Sequence, residues 1–178
     1  PNLKLLQNVN LKEEIENRCS VPVYIENDAN LFTLGEWKVD GNKDGIFGGV
    51  TLGTGLGFGL VINGSLYRGA HGLAMEYAIS PVDNGNWESD ISINAIKRIC
   101  GDIIGEKLEP SQIYELANQG DRKAIKIWET FGNNLGRALS HFINMLDPHR
   151  ISIGGGVSGA FNYFEPNMIS VLEKFSPS

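Results

Sequence analysis

The stretch TLGTGLGFG, residues 51–59, decides how the rest of the chain is read. It carries glycine at four alternate positions, Gly53, Gly55, Gly57 and Gly59, between two apolar, β-rich runs. A hairpin needs only one or two glycines. Because successive strand residues point to opposite faces, alternate glycines strip the side chains from one face of the ribbon. Two consequences stand open at this point. Backbone N–H groups on the bare face can approach phosphate oxygens, with the Thr54 hydroxyl as a further donor, or the bare face packs against another element. A Walker loop is excluded: no Lys-Ser/Thr follows, and the next element reads as a strand.

Working outward, residues 46–52 and 57–63 read as strands, Asn63-Gly64 as a two-residue hairpin turn, and 65–68 as a third strand. A polar loop is expected through residue 90. Helices are expected at 92–100, at 112–119 behind Ser111, and at 122–146 behind Asp121, the last apolar along one wide face and stopped by Pro148. A strand at 150–154 then runs into Gly154-Gly155-Gly156, with a helix beginning near Ser158. Upstream, Asn10 and Glu13 have capping-box logic for a helix at 11–19 whose apolar face is Leu11, Ile15 and Cys19. PVYIE, 22–26, reads as a short strand. Asn27 and Asp28 cap a helix to about Trp37 with Leu31 and Leu34 inward, and 40–45 is a turn cluster.

Composition narrows the class. The chain has 178 residues, 42% hydrophobic and 20% charged, with a formal net charge of −6. Those values suit a folded globular protein and exclude a disordered tail, a collagen-like repeat or a disulfide scaffold. Glycine is the unusual component at 22 residues, ten of them between Gly45 and Gly72. Lys and Arg form no basic face, so no nucleic-acid contact is expected from this segment. No apolar run is long enough to span a membrane. With no secretory signal the expected compartment is cytoplasmic, and Cys19 and Cys100 are expected to be buried free thiols. The chain opens at Pro1 and closes inside a helical pattern (Phe164 to Phe175), so a fragment of a longer protein is expected.

Two further segments carry polar chemistry. ISIGGGVSG, 151–159, places glycines between a strand and a helix N-terminus, an arrangement that suits a nucleotide or simply a tight connection. ENDAN, 26–30, joins Glu26, Asn27, Asp28 and Asn30 where a strand ends and a helix opens, more polar side chains than an N-cap requires. A carboxylate there can take a proton from a substrate hydroxyl. His71, His141 and His149 are scattered and read as solvent or core residues. Trp87 and Trp128 read as packing residues, and Arg68 as an exposed hairpin side chain.

ENDAN, LGTGLGFGLVINGSLYRG and ISIGGGVSGA together resemble the ROK family of repressors, open reading frames and sugar kinases, and the resemblance runs from the opening PNL through 108–146. It implies an α/β, ribonuclease H-like (actin-like ATPase) lobe, a mixed sheet with helices packed on it. Residues 1–178 would be the larger, C-terminal lobe of a two-lobed protein, without the N-terminal lobe. It further implies Asp28 as catalytic base and Asn27, Glu76 and Glu88 as sugar-binding residues. Gly53, Thr54, Gly55 and Gly57 match the family's second phosphate loop, and Gly154, Gly155 and Gly156 its adenosine-binding segment. ATP and Mg²⁺ are the implied cofactors, a sugar and a nucleotide the small-molecule partners, and a homodimer the implied assembly. Two departures stand out. Ile79 occupies the position of the family's sugar and zinc histidine in the sequence Glu76-Tyr77-Ala78-Ile79, and 80–88 (SPVDNGNWE) lacks the cysteines of the zinc segment. No structural zinc is therefore expected, since isoleucine cannot ligate a metal. An ATP-dependent sugar kinase is the favoured function, and the sugar-sensing domain of a transcriptional repressor the alternative.

Overall fold

The runs flanking the glycine turn form β1 (Ile46–Leu52) and β2 (Leu56–Ile62), antiparallel in register from Ile46↔Ile62 to Leu52↔Leu56. Asn63 and Gly64 both take positive φ, 47° and 79°, and turn the chain into β3 (Ser65–Leu66). Positive φ at both central residues matches the right-handed twist of the flanking strands. The strand numbered β6 in chain order (Arg150–Gly154) pairs parallel to β1, giving a mixed sheet of order β3-β2-β1-β6. The computed structural model describes residues 8–41, 45–83 and 85–176. The opening PNL and positions 42–44 of the expected 40–45 turn lie outside them.

Helix α2 (Asp28–Asp40) covers one face of this sheet, and the alternate glycines let it come close. A Cβ at Gly57 would stand 2.7 Å from the Ala29 methyl. One at Gly59 would overlap the Thr33 hydroxyl, which itself donates to the Ala29 carbonyl at 2.7 Å. For these two positions the bare face of the ribbon is packed against a helix. The opposite face receives α6 (Arg122–Leu146), whose Phe142 stacks on Phe58 of β2 with ring centroids 5.4 Å apart. Asp121 caps α6 by accepting from the N–H groups of Lys123 and Ala124, both at 2.8 Å. Trp128, Phe131, Leu135, Leu139 and Phe142 of α6 are buried, and Gly132 and Gly136 on the adjoining flank let α7 (Phe161–Phe175) pack against its backbone. Trp87 and Trp128 are packing residues as expected.

Several expected elements shift. PVYIE forms no strand: Tyr24 is 91% exposed, and the Val23 N–H donates to the Glu16 carboxylate instead of a ladder. High β-propensity creates no strand without a neighbouring edge to pair with. Helix α1 (Leu11–Cys19) buries none of its residues, so Cys19 is exposed while Cys100 is buried. In α2 the inward residues are Ala29, Asn30 and Thr33, and Leu31 faces outward. Residues 67–68 continue as loop beyond the two-residue β3. The polar stretch before residue 90 contains a 3₁₀ turn (Glu76–Ile79), a small hairpin of β4 (Pro81–Val82) and β5 (Gly85–Asn86), and helix α3 (Trp87–Asp90). Helix α4 (Ile93–Ile104) runs past Cys100 to a left-handed C-cap at Gly105. Helix α5 (Pro110–Asn118) begins before Ser111, because Pro110 suits the first helical turn and the Glu109 N–H donates to Gln112 Oε1 at 2.9 Å. A 3₁₀ turn (Ser158–Ala160) precedes α7.

Candidate functional site

The N-terminus of α2, the turn between β1 and β2, and the segment 72–88 enclose a cavity of about 490 Å³. Its lining includes Asn27, Asp28, Glu76 and Glu88, together with Gly53, Thr54, Gly55, Gly57 and Gly155. Residues separated by up to 128 positions thus meet on one surface. Gly154 and Gly156 lie outside this lining, and Gly156 borders a second cavity described below.

Each of these side chains has a local reason for its place. Asn27 is the N-cap of α2, its Oδ1 accepting from the Asn30 N–H at 3.1 Å. Asp28 opens the helix. Its Oδ1 accepts from the Ala29 N–H at 2.9 Å, and its side chain is exposed at the cavity. Glu26 sits just behind. Its Oε1 accepts from the Asn27 N–H at 3.0 Å and from Asn30 Nδ2 at 2.9 Å, and its Oε2 meets Arg68 Nε at 2.6 Å. The Asn30 amide, with the Asn27 N–H and the Arg68 guanidinium, holds the Glu26 carboxyl below its ordinary value against the opposing effect of burial. The pair ties the loop after β3 to the start of α2.

The turn itself is held from three sides. The Gly53 carbonyl accepts from the Ile93 N–H at 2.9 Å, and the Leu52 carbonyl from the Val157 N–H at 3.1 Å. The Leu56 N–H donates to Glu88 Oε2 at 3.1 Å. Gly53 N–H closes the turn on the Gly55 carbonyl at 3.0 Å, while the N–H groups of Thr54 and Gly55 carry no bond among the described residues. Gly155 holds φ +94° with its Cα against the Leu52 backbone, where any side chain would collide. The chain can hook from β6 to the hairpin turn only through glycine here.

The second cavity, about 330 Å³, lies between the start of α5 and the turn before α7. Pro110, Ser111, Tyr114, Trp128, Gly156 and Gly159 are among its lining residues. Trp128 Nε1 is buried without a hydrogen-bond partner among the described residues. Gly155 borders the first cavity and Gly156 the second, so the glycine triplet stands between them.

Sequence reasoning left several contributors without a role. Asn30 reaches the cavity with its Oδ1 buried and unpartnered among the described residues. The ENDAN segment had signalled a polar cluster, but nothing local distinguishes Asn30 from a capping residue. Arg68 is exposed, as expected of a hairpin residue, and is also ion-paired with Glu26. His141 packs edge-on to Trp87, and His149 Nδ1 accepts from the Ile46 N–H at 3.2 Å. Ile79 is exposed, and among the described residues no three His, Cys, Asp or Glu side chains group as metal ligands.

Residues 1–176 match the ROK family. The glucokinase of Thermotoga maritima is 32% identical over 204 aligned positions, covering 100% of this chain and 64% of that protein. The xylose repressor of Bacillus subtilis is 31% identical over 164 positions, 85% of this chain and 42% of the repressor. A crystal structure of a ROK family glucokinase from Streptomyces griseus, in complex with glucose and AMPPNP, superposes with a TM-score of 0.81 at 28% identity, covering 94% of this chain and 63% of that one. This chain therefore spans less than two thirds of the length of these relatives. No described helix is long and apolar enough to cross a membrane. The mixed sheet with its covering helices is the actin-like ATPase fold of the ROK sugar kinases, and the chain belongs to the ROK family.

Proposed function

We propose that the full-length protein transfers the γ-phosphoryl group of ATP to a hydroxyl of a hexose or amino sugar. The observation that carries this reading is the single cavity in which Asp28, Asn27, Glu76 and Glu88 face the β1–β2 turn. Asn27, Glu76 and Glu88 offer a neutral amide and two carboxylates, the acceptor-rich set that sugar hydroxyls need. Asp28 is the base. Its carboxylate takes the proton of the attacking hydroxyl as that oxygen bonds to the γ-phosphorus, and the bond to the β–γ bridging oxygen breaks to release ADP. Phosphoryl transfer asks little beyond such positioning and charge stabilisation.

The phosphates would lie over the turn, where the N–H groups of Thr54 and Gly55 carry no bond among the described residues and Thr54 is exposed. The nucleoside would follow Gly154, Gly155 and Gly156 into the second cavity, whose apolar walls and buried indole N–H suit a heteroaromatic base. Mg²⁺, held by the substrate phosphates, would neutralise charge on the transferred group together with the amides of the turn. A homodimer and an N-terminal lobe closing over the cavity belong to the same reading.

The alternative is a sugar-sensing repressor domain, which the likeness to the xylose repressor supports. ADP release by the full-length protein against a panel of hexoses and amino sugars separates the two. Sugar-dependent ADP release is the expected result. Sugar binding by calorimetry with no ADP from any sugar would establish the sensor instead.

A further inference from the structure

The two carboxylates from the 72–88 segment share a feature that concerns how they are aimed, an inference that rests on their reading as sugar ligands. Each has an aromatic chain neighbour: Tyr77 follows Glu76, and Trp87 precedes Glu88. The carboxylates border the cavity, whereas both rings turn into the core cluster. There they meet, with centroids 6.2 Å apart. Tyr77 sets its ring edge-on to Phe58 at 5.0 Å, and its hydroxyl donates to the Ala138 carbonyl of α6 at 3.3 Å. Burial pushes that hydroxyl up to about 12, so it remains a donor throughout the ordinary pH range. Trp87 is fully packed, with His141 edge-on at 5.5 Å and the Arg137 guanidinium 5.8 Å from its ring centre.

The segment that bears the carboxylates has almost no regular structure of its own. It consists of a four-residue 3₁₀ turn, two strands of two residues each, and a four-residue helix. Elements this short do not hold a side chain to the fraction of an ångström that a binding site requires. The 25-residue α6 is rigid by comparison, and Arg137, Ala138 and His141 lie along one stretch of it. Large rings buried on such a helix supply the missing anchorage.

We propose that Tyr77 and Trp87 are positioning residues that clamp the 72–88 segment onto α6 and so aim Glu76 and Glu88 at the sugar. The bond from the Leu56 N–H to Glu88 reports the outcome directly, since it spans 32 residues and forms only when Glu88 is correctly placed. Arg137 and His141 contribute from the exposed side of α6, so they can be removed without opening the core.

The test uses the full-length protein with Trp87→Leu, Trp87→Phe and the double change Arg137→Ala with His141→Ala. The sugar KM is expected to rise at least tenfold in Trp87→Leu and a few-fold in the double variant. Trp87→Phe should fall between wild type and Trp87→Leu, and the ATP KM should stay within twofold throughout. Hydrogen exchange at the Leu56 amide should quicken at least tenfold in Trp87→Leu, towards the rate in Glu88→Ala. A folded variant with wild-type Leu56 exchange overturns the proposal, as does an ATP KM that rises in step with the sugar KM. If Trp87→Leu does not fold, the double variant decides by the same two readouts. A wild-type protein without sugar turnover removes the kinase reading alone, because Leu56 exchange still decides the clamp.

Discussion

Within TLGTGLGFG, Gly57 and Gly59 lie beneath α2, whereas Gly53 and Gly55 form the turn that opens on the cavity. A Cβ added at Gly59 would run into Thr33 and Ala29, while one added at Gly53 would meet nothing within 4 Å. The same residue type, six positions apart, therefore answers to two different demands. The first pair forms a turn whose Thr54 and Gly55 N–H groups carry no bond among the described residues. The second lets α2 come close to the sheet, and with it the Asp28 that opens the helix. Packing at one end of the motif sets where α2 meets the cavity at the other.

The contrast can be broken most severely at Gly59. Gly59→Val should lower stability by about 3 kcal/mol or more, since Thr33 and the Ala29 carbonyl belong to a packed helix and cannot withdraw cheaply. Denaturant unfolding measures this, and a loss below about 1 kcal/mol would mean that α2 is not held where the glycines admit it.

A smaller effect is expected at Glu26, which ties α2 to the loop after β3. Its carboxyl titrates below its ordinary value of 4.5 in the folded protein. It therefore contributes stability above that value, and the contribution fades as the pH falls through the lower, folded-state pKa. Glu26→Gln should be less stable than wild type at pH 7, and the difference should shrink below about pH 4.5. A difference that holds constant down to pH 3 would contradict the assigned partners.

The smallest effect on stability belongs to Gly53. Gly53→Ala should stay within about 0.5 kcal/mol of wild type, as expected of a site with open space around it. It should nevertheless raise the KM for ATP and leave that for the sugar unchanged. Unfolding as severe as that of Gly59→Val would erase the distinction between the two glycine pairs.

Much of this architecture is legible in the chain because its signals are local. Asn63-Gly64 specifies its turn by backbone conformation, and Asp121 with Pro148 brackets α6 between a cap and a stop. Asn27 and Asp28 open α2 for the same reason. What misled were features whose meaning is set by distant partners. PVYIE has strand propensity but pairs with no edge among the described residues, and Tyr24 and Ile25 are exposed. Alternate glycines announce a close approach without saying what approaches, and at Gly57 and Gly59 it is Ala29 and Thr33. Of the triplet, Gly155 is demanded by its positive φ and the Leu52 backbone, Gly154 stands against the Phe32 ring, and Gly156 opens on the second cavity. The pairing of Tyr77 with Trp87 has no local signature at all, because only the fold brings residues ten apart onto one stretch of α6.

The central claim is that Asp28 removes a proton from a sugar hydroxyl held in the cavity. Its most direct test compares sugar-dependent ADP release by the wild-type full-length protein and Asp28→Asn, with sugar affinity measured on both by calorimetry. Loss of a positioned general base predicts a fall of about 10²- to 10⁴-fold in turnover with sugar affinity nearly unchanged. Turnover that survives Asp28→Asn at the wild-type rate would contradict the account.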